Sequence, residues 1–111
     1  MIYHITSSSE WDLAKTKGEY QTDTLQDDGF IHCSTKDQVL GVANELFAGR
    51  MDLVLLCIDS SLVRVRIEYE DLYETNQLYP HIYGEITLDA VCAIIAFPPQ
   101  SDGTFLLPEG A

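Results

Sequence analysis

Basic residues are scarce in this chain of 111 residues. Lysine and arginine together number 6 against 18 carboxylates, which gives a formal net charge of -12 at pH 7. Proteins that bind nucleic acid need clustered cations to release the counterions of the phosphate backbone, so nucleic acid is a poor partner. An anionic membrane surface is disfavoured for the same reason. A small phosphate-bearing ligand is still permitted, because backbone amides at the start of a helix can hold it without lysine.

Long apolar runs and paired cysteines are also missing. No run approaches the roughly twenty apolar residues of a membrane helix, and the first residues lack a basic segment before an apolar one, so we predict a cytoplasmic protein. Cys33, Cys57 and Cys92 form no CxxC pair and are odd in number, which is typical of reduced core residues. Cys33 lies between His32 and Ser34, but strand alternation sends it to the opposite face, which argues against a nucleophile.

Helix and strand signals along the chain indicate a single α+β domain. Capping boxes at residues 7–10 and 35–38 predict two helices that end near Gly18 and Gly49. Strands are predicted over residues 2–6, 30–33, 53–58, 63–70, 78–86 and 91–97, loops over 19–28 and 71–76, and a single turn over 87–90.

The order of these elements predicts the domain organisation. Two early helices followed by a run of strands indicate an α+β domain that spans residues 1–111. We expect its core to cover about residues 2–97 and the segment 98–111 to be a loosely held tail, because prolines and glycines are frequent there.

All three histidines are followed two residues later by a hydroxyl side chain. Residues two apart on a strand share a face, so each pair presents an imidazole and a hydroxyl to the same space. A neutral imidazole donates one hydrogen bond and accepts another, which suits the hydroxyls of a ribose or the edge of an amide. The pattern therefore predicts a ligand pocket assembled from three strands. The predicted ligand-binding residues are His4, Thr6, His32, Ser34, His81 and Tyr83.

Structural explanations compete with this interpretation. A single strand histidine such as His4 is often satisfied by neighbouring backbone, and Ser34 is placed to help cap the second helix. Tyr83 is equally well explained as a packed ring with its hydroxyl at the surface. For the other two histidines, nearby Gly29 and Gly84 favour function, because glycine lets backbone approach a ligand.

Five segments of the sequence resemble a bacterial family called domain of unknown function 952. The segments are YHIT at 3–6, WDLA at 11–14, GFIHCS at 29–34, DLVLL at 52–56 and YPHIYG at 79–84. The resemblance covers about residues 2–95. It departs from the family at the last segment, which usually begins with phenylalanine and has proline after the glycine, where this chain has Tyr79 and Glu85.

The resemblance implies an ADP-ribosyltransferase-like fold, in which NAD binds in the cleft of a split, mainly antiparallel sheet. This grouping implies a fold and a pocket but no activity. In active members of that superfamily, a His-x-Thr segment holds a ribose, an aromatic residue packs on nicotinamide, and a glutamate stabilises the cation formed as the glycosidic bond breaks. By position, His4 and Thr6 match the first element, Tyr83 the aromatic residue, and Glu70 the catalytic glutamate.

Three classes of function stay open at this stage. The first is an enzyme that binds NAD, ADP-ribose or a similar nucleotide and cleaves a glycosidic bond or transfers ADP-ribose, with Glu70 as catalytic residue. Arg64 and Arg66 offer the alternative that Glu70 is an ordinary ion-pair partner. The second class is a non-catalytic module that binds a small molecule or a protein segment. The third is a metal site of the three histidines, which the absence of HxH and HxxxH spacing disfavours, so no metal is assigned.

Overall fold

The fold alternates short strands with three α-helices. A computed structural model describes residues 1–72 and 74–111, and at residues 23 and 24 it describes the backbone alone. The strands are β1 Ile2–Ser7, β2 Glu19–Tyr20, β3 Ile31–His32, β4 Leu53–Ile58, β5 Ile67–Glu70, β6 Tyr79–Ile82, β7 Ile86–Thr87 and β8 Val91–Ala96. The helices are α1 Ser8–Lys17, α2 Asp23–Asp28 and α3 Lys36–Leu46, with 3-10 turns at Ser60–Leu62 and Leu88–Ala90. None of the helices in the described residues has the length and apolar character needed to cross a membrane.

The strands form antiparallel sheets that meet at a single bridge. The first sheet has the order β1-β4-β8, the second β3-β6-β5, and β2 pairs with β7. Between the first two sheets, the described residues show one isolated pairing, in which Tyr3 and Ser34 each donate an N–H to the other's carbonyl at 2.8 Å. Beyond this bridge β1 and β3 separate, which leaves a cleft between the two sheets.

Alternation along β1 divides the core into two parts. Ile2 packs with Trp11 of α1 in one hydrophobic cluster, whereas Ile5 packs with Val39 of α3 and Phe105 in the other. Because successive strand residues point to opposite faces, the first sheet is covered by α1 on one side and by α3 on the other. The apolar run of β4 is buried on both faces, as its sequence predicts.

Capping residues set the ends of the two predicted helices. Ser7 Oγ accepts a hydrogen bond from the N–H of Glu10 at 3.2 Å, and α1 ends before Gly18, whose φ of 86° is left-handed. At α3, the N–H of Thr35 donates to Gln38 Oε1 at 3.0 Å. Both helices are therefore confirmed, with α3 ending at Leu46 rather than near Gly49.

The segment 19–28 differs from its prediction as a loop. It contains β2 and the six-residue α2, which is capped by Thr22 and closed by Gly29 with a φ of 84°. The two residues of β2 form a strand because Glu19 and Tyr20 pair with β7, a contact that local sequence does not reveal.

Two predicted strands differ most from the observed ones. Within the alternating segment 63–70, β5 forms where β6 supplies a partner, at Ile67–Glu70. The extended segment 78–86 divides into β6 and β7, which pair with different neighbours. Position 73 of the predicted loop 71–76 lies outside the described residues.

The C-terminal segment 98–111, expected to be loosely held, is anchored by Phe105. This side chain is 2% exposed, and its ring lies 4.8 Å from that of Phe97 between centroids. Its N–H donates to Asn44 Oδ1 at 2.7 Å, which ties the segment to α3. The tail therefore closes the cluster on the α3 side of the first sheet.

Truncating Phe105 should reveal this anchor. We expect Phe105→Ala to lower the free energy of unfolding by about 3 to 5 kcal/mol, because a buried aromatic ring is replaced by a cavity. Its neighbour Leu106 is 64% exposed, so Leu106→Ala is the matched control and should change stability by less than about 0.5 kcal/mol. Urea unfolding of both variants measures the difference. Equal losses would show that the tail is not part of the core.

Candidate functional site

A cavity of about 710 Å³ opens in the cleft where β1 and β3 separate. Its lining includes five of the six predicted ligand-binding residues, namely His4, Thr6, His32, Ser34 and His81. Glu70 and Tyr83 do not line the cavity; Glu70 contacts His81, and Tyr83 in turn donates a hydrogen bond to Glu70. The structure therefore brings most of the predicted residues to one place.

His32 and His81 form the centre of one wall. They are direct register partners on β3 and β6, and their ring centroids lie 5.4 Å apart. Phe30 stacks on His81 at 4.2 Å between centroids with an angle of 21°, and it meets His32 edge-on at 4.7 Å. Since residues two apart share a face, Phe30, His32 and Ser34 all lie on this side of the second sheet.

His4 and Thr6 reach the cavity from the other side. Tyr3 is the bridge partner of Ser34, so strand alternation turns its neighbour His4 toward the opposite face, where Ile2 and Tyr20 pack. The three His-x-hydroxyl segments therefore do not present equivalent surfaces to a ligand. Two of them share one face, and the third enters through the gap between the sheets.

Glu70 fixes the orientation of His81. Its Oε1 lies 3.0 Å from His81 Nδ1 and accepts a 2.5 Å hydrogen bond from the hydroxyl of Tyr83. These two bonds hold the pKa of the Glu70 carboxyl below its usual range, with the Tyr83 bond contributing most. An ionised carboxylate accepts hydrogen bonds only, so Nδ1 of His81 carries the proton that it donates to Glu70.

The other ring nitrogen of His81 faces the cavity. The side chain is 1% exposed, and the described contacts give Nε2 no partner. Among the described residues, no side-chain nitrogen or oxygen is both fully buried and without a hydrogen bond. The small surface that His81 keeps therefore includes Nε2, at the cavity wall. In the neutral ring this nitrogen carries a lone pair, and it can bind or receive a proton there.

The arginine residues near Glu70 form ion pairs with other carboxylates. Arg64 forms an ion pair with Asp89 at 2.6 Å, and Arg66 lies 3.6 Å from Glu68. The Arg66 guanidinium also lies over the Tyr83 ring, 4.2 Å from its centroid. The hydrogen-bonding partners of Glu70 in the described residues are thus Tyr83 and His81 rather than an arginine.

His4 is a structural group with both ring nitrogens occupied. Nδ1 lies 2.5 Å from the carbonyl oxygen of His32, to which it must donate, so Nε2 accepts from the hydroxyl of Tyr20 at 2.8 Å. Burial lowers the pKa of His4 to about 4, although the bond to the His32 carbonyl opposes this shift. A ligand reaches a hydrogen bond with His4 only by displacing one of these partners.

Glu10 is a cavity residue that the sequence patterns attributed to helix capping. In a full capping box its carboxylate would return to the N–H of Ser7, but Oε2 instead accepts a 2.7 Å hydrogen bond from the hydroxyl of Thr6. This contact turns the carboxylate toward the cavity, where it lies in the lining. The cap itself keeps the bond from the N–H of Glu10 to Ser7 Oγ.

Competing structural roles are settled for several neighbours. The cap of α3 is Thr35 rather than Ser34, whose backbone forms the bridge to β1. Cys33 is 4% exposed in the apolar cluster, and burial raises the pKa of its thiol. At Gly84 an added Cβ would lie 2.7 Å from Val65 Cγ1, so packing explains this glycine. Gly29 adopts the left-handed conformation that ends α2, so helix termination explains this glycine.

A metal site finds no support in the described part of the chain. No group of three or more histidine, cysteine or acidic side chains there is arranged to hold a metal ion. His4 has both nitrogens occupied, and Nε2 of His32 lies 3.2 Å from Asp28 Oδ2.

Comparisons with known proteins identify the family. A family described as "Protein of unknown function (DUF952)" matches residues 5–94. The chain belongs to the DUF952 family. Its fold is similar to the X-ray crystal structure of protein CC0527 from Caulobacter crescentus, with 30% sequence identity, a TM-score of 0.86, and coverage of 96% of this chain and 93% of that chain. The solution NMR structure of CC0527 gives 29% identity, a TM-score of 0.77, and coverage of 93% and 89%. A search among curated proteins finds no match.

Three site residues of this DUF952 protein escaped the sequence patterns for different reasons. Phe30 lies two residues before His32, so extending the alternation by one step would have placed it on the same face. Tyr20 contacts His4 from a segment without a local signal of its own. Glu10 belongs to a recognised sequence pattern, the capping box, and helix capping alone was a sufficient explanation of its presence.

The buried His4 should make stability depend on pH. Its pKa falls from 6.5 to about 4 on folding, so the unfolded chain binds this proton more tightly, and the stabilisation present above pH 6.5 is lost as the pH falls toward 4. Between about pH 7.5 and pH 5 we expect the wild type to lose about 2 kcal/mol more unfolding free energy than His4→Gln. Urea unfolding at the two pH values measures this difference. Identical pH dependence in both proteins would contradict a neutral, buried His4.

Proposed function

We propose that the cleft binds a small nucleotide-class metabolite, with NAD and ADP-ribose as the leading candidates. The observation that carries this proposal is His81, whose buried ring is fixed by Glu70 and Phe30 and points Nε2 into the cavity. Nε2 has no protein partner among the described residues and only a small exposed surface, so a ligand or a water in the cavity is the group that can complete its hydrogen bonding. His81 is thus built to hold a polar group of a ligand.

The size and chemistry of the cavity support a ligand of this class. Its volume of about 710 Å³ falls within the range of roughly 300 to 1,000 Å³ of small-molecule sites. Ser34 adds a hydroxyl to the lining, and Tyr3, Tyr79 and Phe47 add aromatic surface for a base. The names NAD and ADP-ribose come from the resemblance of the DUF952 family to ADP-ribosyltransferase-like proteins, whose fold we propose for this chain.

Binding is tested by following the imidazole nitrogens during a ligand titration. We expect the NMR signals of His81 and His32 to move together on addition of NAD or ADP-ribose and to saturate at millimolar concentration or below. His81→Ala should abolish the shift at His32, because the polar contact is lost, while the backbone spectrum shows that the fold is kept. If neither ligand moves the signals, the nucleotide proposal fails.

The Glu70–His81 pair also favours a reaction, hydrolysis of the glycosidic bond of NAD. We propose that Nε2 of His81 accepts a proton from a water molecule whose oxygen forms a bond to the ribose C1. As this bond forms, the C1–N bond breaks, and its electron pair stays on nicotinamide, the neutral leaving group. The products are ADP-ribose and nicotinamide, and the proton passes from His81 to solvent. ADP-ribosyl transfer follows the same scheme with an acceptor hydroxyl in place of water.

Glu70 has a positioning role in this scheme. Its carboxylate lies behind His81 rather than in the cavity lining, and it holds the Nδ1–H tautomer that leaves Nε2 free to accept a proton. The direct catalytic role that the resemblance implies for Glu70 would require the carboxylate to reach the ligand past the imidazole. We therefore propose His81 as the group that touches substrate and Glu70 as the residue that orients it.

Turnover of NAD separates an enzyme from a binding module. We expect release of nicotinamide, measured by chromatography, and a decrease of about tenfold or more in kcat for Glu70→Gln, because the tautomer of His81 is no longer fixed. Tyr83→Phe should lower kcat in the same direction with little change in KM. Tyr69→Phe is its control, because Tyr69 is an exposed tyrosine on the opposite face of β5. Binding without nicotinamide release would identify a non-catalytic module.

A further inference from the structure

Charge in the cleft is set by two carboxylates from different helices. Glu10 of α1 and Glu45 of α3 both line the cavity, although the two helices pack on opposite faces of the first sheet. Thr6 holds the Glu10 carboxylate by a 2.7 Å hydrogen bond. The cavity lining therefore includes one acidic group held by a hydrogen bond and a second acidic side chain.

Positive charge in the lining does not balance these groups. Among the six lysines and arginines, Arg50 alone belongs to the cavity lining in the described structure. Its guanidinium donates to Asp52 at 3.1 Å from Nε and at 2.8 Å from Nη2, so its charge is neutralised by a carboxylate outside the lining. The buried ring of His4 is neutral near pH 7, because its pKa is about 4. The lining thus carries a net negative charge within a chain whose total charge is -12.

A second observation points to a ligand in the same cavity. His81 is 1% exposed, and its Nε2 has no partner in the described residues and faces the cavity. The acidic groups are therefore part of a cleft that also presents a preoriented polar atom. A ligand that satisfies both carries an uncharged polar part for His81 and a positive charge for the carboxylates.

We propose that the cleft selects nucleosides and nucleotides with a positively charged base, and that Glu10 and Glu45 determine this preference. The inference rests on the proposed function, because it takes nucleotide-class binding in this cleft as given. A pyridinium ring is such a base, since its charge is delocalised and its face packs on aromatic side chains. The diphosphate of ADP-ribose, in contrast, meets repulsion from the same two carboxylates.

A matched pair of probes isolates the charge. Nicotinamide riboside carries a pyridinium cation, whereas its 1,4-dihydro form is neutral and nearly the same in shape. In a buffer of about 20 mM ionic strength, we expect the cation to bind about tenfold more tightly than the neutral form. The preference should shrink at about 500 mM salt because the ions screen the carboxylates. ADP-ribose, the anionic probe, should bind more weakly than the cation.

Variants assign the preference to particular residues. Glu10→Gln keeps the size of the side chain and its bond from Thr6, and it should reduce the discrimination between the two probes to about threefold or less, as should Glu45→Gln. Glu109→Gln removes an equal charge from an exposed residue outside the cavity and should leave the discrimination unchanged. A spectrum of each variant confirms that the fold is intact.

The outcomes separate this inference from the proposed function. If cation, neutral form and ADP-ribose bind equally, or if ADP-ribose binds most tightly, charge selection is wrong while nucleotide binding stands. A preference for the cation that Glu10→Gln and Glu45→Gln both leave intact would also overturn the assignment. If none of the three probes binds, nucleotide binding in the cleft is wrong and the inference falls with it.

Discussion

The cleft depends on the hydrogen bonds of the His4 ring. In a continued antiparallel ladder, the pair after Tyr3 and Ser34 would join Ile5 to His32. The His32 carbonyl instead accepts a hydrogen bond from His4 Nδ1. The hydroxyl of Tyr20 donates to the other ring nitrogen of His4, Nε2. A side chain thus replaces the backbone of β1 as the partner of β3, so the two sheets meet once and then separate. The space between them becomes the cavity.

The three histidines have different roles because their environments differ. His4 is enclosed by protein partners and is held neutral by burial. His81 is equally enclosed, but a carboxylate occupies one nitrogen, and the other faces the cavity. His32 is partly exposed beside Asp28 and forms the edge of the same wall. Position relative to the cleft, rather than the shared His-x-hydroxyl spacing, therefore determines what each ring can do.

Each group that supports His81 comes from a different part of the chain. Glu70 lies on β5, Phe30 precedes β3, and Tyr83 follows β6. Such support keeps the imidazole in one orientation, and preorganisation of this kind would lower the entropic cost of binding the proposed ligand. The acidic lining from α1 and α3 is added by the helices that cover the first sheet. The second sheet therefore provides orientation, and the helices provide charge.

The sequence by itself determined the elements whose signals are local. Capping residues and periodicity located α1, α3, β1 and β4, because each depends on contacts within a few residues. The histidine segments likewise predicted residues that line the cavity. Tertiary structure decided which face each residue occupies, since the Tyr3–Ser34 bridge turns His4 away from His81. It also decided the partners from distant segments, such as Tyr20 and Glu70. Pairing over long sequence separations leaves no local pattern, so these contacts appear only once the chain has folded.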